Sequence, residues 1–476
     1  MGTSPYKKGD PVTAEITDIG QDGAGIGKAE GFAFFIKDAV LGDTVDARVM
    51  KVKSGYAYAK LEEVVKPSPF RVEPRCPEHA RCGGCQLQAL SYKKQLVFKQ
   101  NKVRNNLIRL GGFSPTEIEG VLEEIVGMSE PFRYRCKAQY PLGLNKEGNI
   151  VAGFYAGRTH DIIPHPDCWL GDAQNKEILA AILAYMKENS VTAYDEKTGR
   201  GLVRHVLLRK GYYTGEVMVC LVINGESLPQ QGRLVETLCK QPGITSISIN
   251  INSDNTNVIM GKEVRHLWGR ETISDSLKIR EAAQGFTDTG RSLSFQISPL
   301  SFYQVNPLQA EKIYALALEY AGLCGKETVY DLYCGIGTVS LFMAAKAKYV
   351  YGVEAVPEAV RDARRNAEAN GVGNVEFIEG LAGIPMPGAE VIILDPPRKG
   401  CDRTCLQAVI AAQAKRIVYI SCDSATLARD LRILCDNGYK LQRARPVDQF
   451  GQTVHVEVVC GLDYSALSNV LKMSSV

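Results

Sequence analysis

Val329-Tyr330-Asp331-Leu332-Tyr333-Cys334-Gly335-Ile336-Gly337-Thr338 decides how the C-terminal part of this chain is read. A short apolar run ends on glycines and is followed by helix-like sequence over 339–346, which makes a strand–turn–helix unit. Glycines at such a turn let a nucleotide-like ligand lie against the backbone. About twenty residues on, a second apolar strand over 349–353 ends in Glu354, where a carboxylate can hold both hydroxyls of a ribose. The turn has Gly335 and Gly337 but no third glycine before the helix, so the pyrophosphate fingerprint of dinucleotide enzymes fails. S-adenosyl-L-methionine (SAM), which has no phosphates, fits better.

From residue 308 onward helices and strands alternate, beginning with a helix over 310–320, as in a doubly wound parallel sheet. The strand at 390–394 ends in Asp395-Pro396-Pro397-Arg398-Lys399-Gly400. Two prolines stiffen that loop and leave few donors to compete with a bound base, and Asp395 is placed to orient cofactor or substrate. The apolar run Ile417–Ile420 stops at Ser421-Cys422-Asp423. Ligands of open parallel sheets sit beyond the carboxyl ends of the strands, so a cysteine there is placed for chemistry. Taken alone, Cys422 reads as one more buried cysteine. The glycine turn, Glu354 and Asp395 reverse that reading.

N-terminal to this half, the pattern changes twice. Residues 130–290 are mostly strands with a helix near 176–188, a mixed α+β arrangement. On the strand at 203–209, Arg204, His205 and Arg209 read equally well as phosphate contacts or as the polar face of an edge strand. A helix over 87–110 ends at Gly111-Gly112. Before it, a linker with Pro67, Pro69, Pro74 and Pro77 leads into Cys76-Pro-Glu-His-Ala-Arg-Cys82-Gly-Gly-Cys85. Three cysteines in ten residues, with glycine amides free to face sulfur, can wrap one inorganic centre. Cys168, in another proline-punctuated loop, is the best fourth ligand, with Cys136 a spare. Zinc sites prefer two cysteine pairs, so a four-thiolate [4Fe–4S] cluster is the better fit.

Residues 4–63 alternate apolar and polar positions between glycine turns, which predicts a small β-barrel. Phe32, Phe34, Phe35, Tyr56 and Tyr58 are available to stack bases, although half or more should fill the barrel. Eight basic residues face ten acidic ones in 1–63, so any basic face rests on side chains such as Arg48, Lys51, Lys53 and Lys60. Across Lys66–Arg109 ten basic residues stand against Glu73 and Glu78, a candidate phosphate-facing strip whose bland alternative is a solvated helix face.

Composition sets the frame. With 476 residues, 45% hydrophobic and 23% charged, the chain has material for several domains and a sizeable core. No apolar run approaches a membrane span and MGTSPYKKGD has no signal-peptide core, so no membrane association and a cytoplasmic location are expected. Fourteen cysteines in such a chain are packing, ligands or catalysts rather than disulfides.

Ser301-Phe-Tyr-Gln304-Val-Asn306-Pro, Asp331-Leu-Tyr333-Cys-Gly-Ile-Gly-Thr, Asp395-Pro-Pro-Arg-Lys-Gly, Ser421-Cys422 and His455-Val-Glu457 together resemble the RNA (uracil-5-)-methyltransferase family. The N-terminal barrel resembles a TRAM domain, and barrel plus four cysteines point to the family's 23S ribosomal RNA branch. The resemblance implies a multidomain α/β fold: a TRAM/OB-like β-barrel (1–63), an α+β central domain with the cluster (64–290, its first helix packing on the catalytic domain), and a Rossmann-like SAM-dependent methyltransferase domain (291–476). It carries cofactor binding onto Gln304, Tyr333, Glu354 and Asp395, the nucleophile onto Cys422, the general base onto Glu457, and the cluster onto Cys76, Cys82, Cys85 and Cys168. The expected partner is 23S rRNA, offering a single-stranded or flipped-out uridine to a monomeric enzyme.

Two stretches depart from the family pattern. Ser421-Cys422-Asp423-Ser424 stands where Ser-Cys-Asn-Pro is usual, and Phe450-Gly451-Gln452-Thr453 where Phe-Pro-His-Thr is usual. Both lose the stiffness of a proline, and a negative Asp423 beside Cys422 is expected to disfavour the thiolate. The rival activities are tRNA uracil-5 methylation, RNA cytosine-5 methylation, which calls for a second catalytic thiol such as Cys401, and adenine-N6 methylation, which needs no thiol. A non-catalytic RNA-binding assembly factor is the remaining alternative. The cluster is expected to be structural, its loss costing RNA binding rather than methyl transfer.

Overall fold

The computed structural model describes residues 5–157 and 159–465. Five strands, β1 (Pro11–Ile19), β2 (Gly25–Ala29), β3 (Phe32–Lys37), β4 (Thr44–Val52) and β5 (Tyr56–Lys66), close into a barrel in the order β1-β2-β3-β5-β4. Val12, Ala14 and Ile16 alternate inward with Phe34 and Ile36, as the period of two requires. Of the five aromatics only Phe34 is buried in the barrel core, with Phe32 packed against it. Phe35, Tyr56 and Tyr58 instead cluster half-buried, with centroids 5.2–5.7 Å apart.

Helix α1 (Tyr92–Arg109) starts five residues later than expected, and α2 (Pro115–Val121) opens with a Ser114–Glu117 capping box. Val103 and Leu107 of α1 are buried with Leu427 and Leu431 of the C-terminal half. The basic strip therefore does not survive as one surface. Lys99 is fully buried against Asp448 (2.5 Å), Arg71 is paired with Asp43 (2.5 Å), and Lys102 donates to the Val454 carbonyl.

The central sheet runs β12-β11-β10-β9-β6-β7-β8, from β6 (Lys137–Leu144), β7 (Ile150–Tyr155), β8 (Ile162–Pro164), β9 (Val203–Lys210), β10 (Val217–Ile223), β11 (Ile244–Ile251) and β12 (Glu263–Gly269). Helices α3 (Asn175–Glu188) and α4 (Gln231–Leu238) contribute to its core. β9 is an interior strand, buried along nearly its whole length. Arg204, His205 and Arg209 are thus neither phosphate contacts nor an edge-strand face. Arg209 donates to the Ser301 carbonyl (2.9 Å), and Arg204 to those of Asn252 and Asp254 (both 2.8 Å).

A hairpin, β13 (Ile273–Glu281) and β14 (Thr287–Ile297), runs across residue 291 and buries Leu277, Phe295 and Ile297 in the same core as α5 (Pro307–Ala321). The chain then lays down β15 (Thr328–Leu332), α6 (Thr338–Ala344), β16 (Tyr349–Glu354), α7 (Pro357–Ala369), β17 (Val375–Glu379), β18 (Val391–Leu394), α8 (Arg403–Ala412), β19 (Arg416–Ser421), α9 (Ser424–Asp436), β20 (Tyr439–Val447) and β21 (Glu457–Tyr464). Their sheet runs β17-β16-β15-β18-β19-β21-β20, parallel except for β21, which is antiparallel to β19 and β20. Among the described residues no helix is long and apolar enough to cross a membrane.

Candidate active site

The carboxyl ends of β15, β16, β18 and β19 open on one side of the sheet, where parallel α/β folds gather their ligands. After β15 the backbone enters the left-handed region three times, at Tyr333 (φ 70°), Gly335 (55°) and Gly337 (83°). A Cβ on Gly337 would meet the Phe377 ring at 2.8 Å, so this turn admits only glycine there. Tyr333 holds its uncommon conformation because its amide and that of Cys334 both donate to the Val353 carbonyl at 3.0 Å. Glu354, at the end of β16, accepts from the Gly335 amide (3.1 Å) and the Val356 amide (2.9 Å), which fixes its carboxylate beside the glycine turn.

Asp395 ends β18 half-exposed, and burial pushes its carboxyl up to about 7. The loop after it is pinned from α9, with Thr426 Oγ1 donating to the Arg398 carbonyl and Arg429 to that of Lys399, both at 3.0 Å. Cys422 follows β19 and Glu457 opens β21 rather than closing a strand. Because these two strands are antiparallel, with Ser421 opposite Val458, the thiol and the carboxyl come from adjacent strand ends at the same edge of the cleft. Burial pushes Cys422 up to about 11, helped by Glu457 and Asp395 and opposed by Arg398. Glu457 is buried and pushed up to about 8, again by burial and Asp395 against Arg398.

Asp423 also has a structural role. Its Oδ1 accepts from the amides of Ala425 (2.9 Å) and Thr426 (3.1 Å), capping α9. The leading charges that raise the thiol are those of Glu457 and Asp395. The amino end of α9, just past Cys422, favours negative charge there.

Gln304 precedes α5, its side-chain oxygen accepting from Gln449 Nε2 (3.0 Å). Tyr314 of α5 is buried beside Gln304, Asp395 and Glu457, and burial with the Asp395 charge lifts its phenol well above the usual range. Two side chains were not singled out beforehand. Arg398 is the cation facing both Cys422 and Glu457, and the demand of two raised acidic groups for a counter-charge would have pointed to it. Asp331 is buried with Oδ2 accepting from Ser340 (2.6 Å) and Oδ1 unpartnered; only its place at the end of β15 hinted at this.

Away from this cleft, Cys76, Cys82, Cys85 and Cys168 line one cavity of about 390 Å³. The Gly84 amide donates to Cys82 Sγ (3.4 Å), and His165 Nε2 lies 3.4 Å from Cys76 Sγ. Among the described residues no three His, Cys, Asp or Glu side chains converge as the ligands of a single ion would. Four thiols around one cavity, with a glycine amide toward sulfur, are a donor set suited to a larger thiolate-bound group. Cys136 is buried and donates to the Gln304 carbonyl (3.3 Å), which removes it from that set.

A glycine turn, an acid at the end of the next strand and the Asp-Pro-Pro loop define a SAM-dependent methyltransferase fold, and residues 329–391 match the methyltransferase domain family. Residues 385–464 match the tRNA (uracil-5-)-methyltransferase family, and residues 5–61 the TRAM domain. The chain is 44% identical over 468 residues to an uncharacterised RNA methyltransferase of Halalkalibacterium halodurans, covering 97% of this chain and 98% of that one. A second, from Clostridium tetani, is 43% identical with the same coverage. Among solved structures, a Pyrococcus abyssi tRNA (uracil-54, C5)-methyltransferase in complex with S-adenosyl-L-homocysteine aligns with a TM-score of 0.74 and 26% identity, over 95% of this chain and 100% of that chain. The chain belongs to the RNA (uracil-5-)-methyltransferase family, and its cofactor is SAM.

Proposed function

We propose that this enzyme methylates C5 of a uridine in 23S rRNA through a covalent adduct between Cys422 and C6. The observation that carries the chemistry is the β19–β21 register, which sets a thiol and a buried carboxyl at one edge of the cleft. C5 of uracil is too weak a nucleophile to take a methyl group unaided. Addition of the Cys422 thiolate to C6 forms a carbon–sulfur bond and pushes the electron pair of the double bond onto C5. SAM, when bound, supplies the methyl group. Glu457, as its carboxylate, then takes the C5 proton; the double bond re-forms and the Cys422 thiolate leaves. Gln304, Tyr333, Glu354 and Asp395 would hold the cofactor, Glu354 through the ribose.

Cytosine-5 chemistry calls for a second thiol, but Cys401 is buried with its sulfur 3.6 Å from the Tyr419 hydroxyl. A tRNA target is the second reading, favoured by the tRNA enzyme that aligns along nearly the whole chain. Mapping 5-methyluridine in ribosomal and transfer RNA with and without the gene separates the two: a 23S site should vanish with the gene, and loss confined to tRNA would replace the rRNA assignment.

Cys76, Cys82, Cys85 and Cys168 are assigned to a [4Fe–4S] cluster, which when bound would cross-link the 76–85 loop to the loop at 168 and so act structurally. Iron and sulfide determination with Mössbauer spectroscopy on anaerobically purified protein tests it; about four irons per chain are expected, and zinc in their place would refute it. The barrel (1–63) and the central domain would grip RNA while the C-terminal domain does the chemistry. The working form is a monomer in the cytoplasm.

A further inference from the structure

Between the barrel and α1 lies a cavity of about 560 Å³ that the methyl-transfer chemistry does not use. Its barrel wall carries Phe35 and Tyr58, ring centroids 5.7 Å apart. Its helix wall carries Asn101 and Asn105, whose amides have no hydrogen-bond partner among the described residues. Asp18 and Asp22 stand at the rim.

The same helix touches both catalytic loops. Asn106 Nδ2 donates to Ser424 Oγ (2.8 Å), two residues past Cys422, and Lys102 Nζ donates to the Val454 carbonyl (2.9 Å), three before Glu457. Lys102 and Asn106 line the cavity as well, so α1 connects it directly to the loops of Cys422 and Glu457.

We propose that the cavity is a base-reading site that takes an adenine of the RNA flanking the target uridine. This rests on the reading of the chain as an enzyme acting on RNA. Aromatic faces stack any base. Two unpartnered amides add what stacking lacks, a donor and an acceptor for a base edge, and the asparagine side chain pairs bidentately with adenine N6 and N7. The rim carboxylates accept from an exocyclic amine, so the site suits a base with an amino group and disfavours uracil, while Lys102 and Arg109 in the same lining balance the two acids.

The test uses short RNAs with a central uridine flanked only by adenosine, only by cytidine or only by uridine, and the full-length protein. The adenosine-flanked RNA should bind about tenfold tighter than the uridine-flanked one. The Asn101→Ala/Asn105→Ala double variant should lose that preference while keeping its affinity for the uridine-flanked RNA. Tyr58→Leu should weaken binding of all three. Equal binding of all RNAs by the unmodified protein, a preference for cytidine, or a preference that survives the double variant overturns the proposal. Calorimetry with S-adenosylhomocysteine, expected to be identical across variants, reports folding. Methyl incorporation into RNA from cells lacking the gene keeps the two ideas apart. No incorporation by the unmodified protein sinks the methyltransferase reading, whereas normal incorporation with an unchanged KM for RNA in the double variant sinks only the base-reading site.

Discussion

The loops that carry Cys422 and Glu457 both lack the proline usual in their family, and each is stiffened by different means. The 421–424 loop is held mainly from within the catalytic domain, with one tie from α1, Asn106 to Ser424. Ser421 Oγ donates to the Asp423 carbonyl (3.0 Å), and Asp423 caps α9 within three residues of its own position. The segment before Glu457 has one local turn, with Thr453 Oγ1 donating to the Phe450 carbonyl (2.7 Å) and accepting from the His455 amide (3.2 Å), but it leans far more on contacts from outside. Gln452 keeps a left-handed conformation (φ 67°) because it is clamped from outside. Its amide donates to Gln95 Oε1 (3.2 Å), Gln95 Nε2 donates to its Oε1 (3.0 Å), and its carbonyl accepts from the amides of Gln86 and Leu87 (both 3.0 Å). Lys99 and Tyr92 bind Asp448, and Tyr134 donates to the Gly451 carbonyl. The nucleophile's loop is therefore mainly a property of the catalytic domain, reached by α1 only through Asn106, whereas the base's loop is built largely by α1 and by the residues following Cys85. If the four thiols hold the proposed cluster, its loss should accordingly reach Glu457 as well as RNA binding.

The comparison breaks first at the residues themselves. Cys422→Ala should abolish both methyl transfer and the covalent adduct with 5-fluorouridine RNA, seen as a band of retarded mobility in denaturing gels. A surviving adduct would move the nucleophile elsewhere.

The pH dependence separates thiol from carboxyl. Both work as anions, and both are raised in the free protein, to about 11 for Cys422 and about 8 for Glu457. Each form gains as pH rises, so log kcat/KM should climb with a slope of about two below pH 8 and about one above it. Glu457→Gln should slow turnover by about 10²- to 10⁴-fold, remove that break and leave the methylated RNA–enzyme adduct standing. A profile that keeps its break in this variant would give the base role to another group.

Gln95→Leu tests the long-range clamp. It strands the Leu90 carbonyl, takes one of two donors from the Leu87 carbonyl and removes both polar contacts of Gln452, at a cost of about 1–3 kcal/mol in unfolding free energy. Because the damage is directed at the base's loop, kcat should fall while S-adenosylhomocysteine affinity holds. Equal losses in both would make Gln95 a general core residue.

The same contrast separates what could be read in the sequence from what could not. The strand ends carrying the glycine turn, Glu354 and Asp395 were legible because a strand, its turn and the next strand's end are neighbours in sequence; of the four cysteines that line one cavity, Cys76, Cys82 and Cys85 are close in sequence, whereas Cys168 comes to them from a distant loop. The closeness of Cys422 to Glu457 needed the antiparallel placement of β21, which no local pattern encodes. Lys99 read as one of a basic strip because its partner Asp448 lies 349 positions away. Arg204, His205 and Arg209 misled for a related reason, since a buried interior strand whose arginines donate to distant carbonyls looks, residue by residue, like an amphipathic edge.

Asp423 carries the smallest effect and separates cap from charge. As a cap it satisfies two amides at the start of α9, so Asp423→Ala should cost about 1 kcal/mol and loosen the loop enough to slow methyl transfer a few-fold. Asp423→Asn keeps the acceptor and removes the charge, and asparagine caps as well as aspartate. If the cap is what matters, the Asn variant should match the unmodified enzyme in stability, rate and pH profile. If the carboxylate opposes the thiolate, the Asn variant should form its 5-fluorouridine adduct faster and at lower pH. Rate measurements on both variants across the rising limb of the profile distinguish the two, and the two short amide contacts to Oδ1 favour the cap.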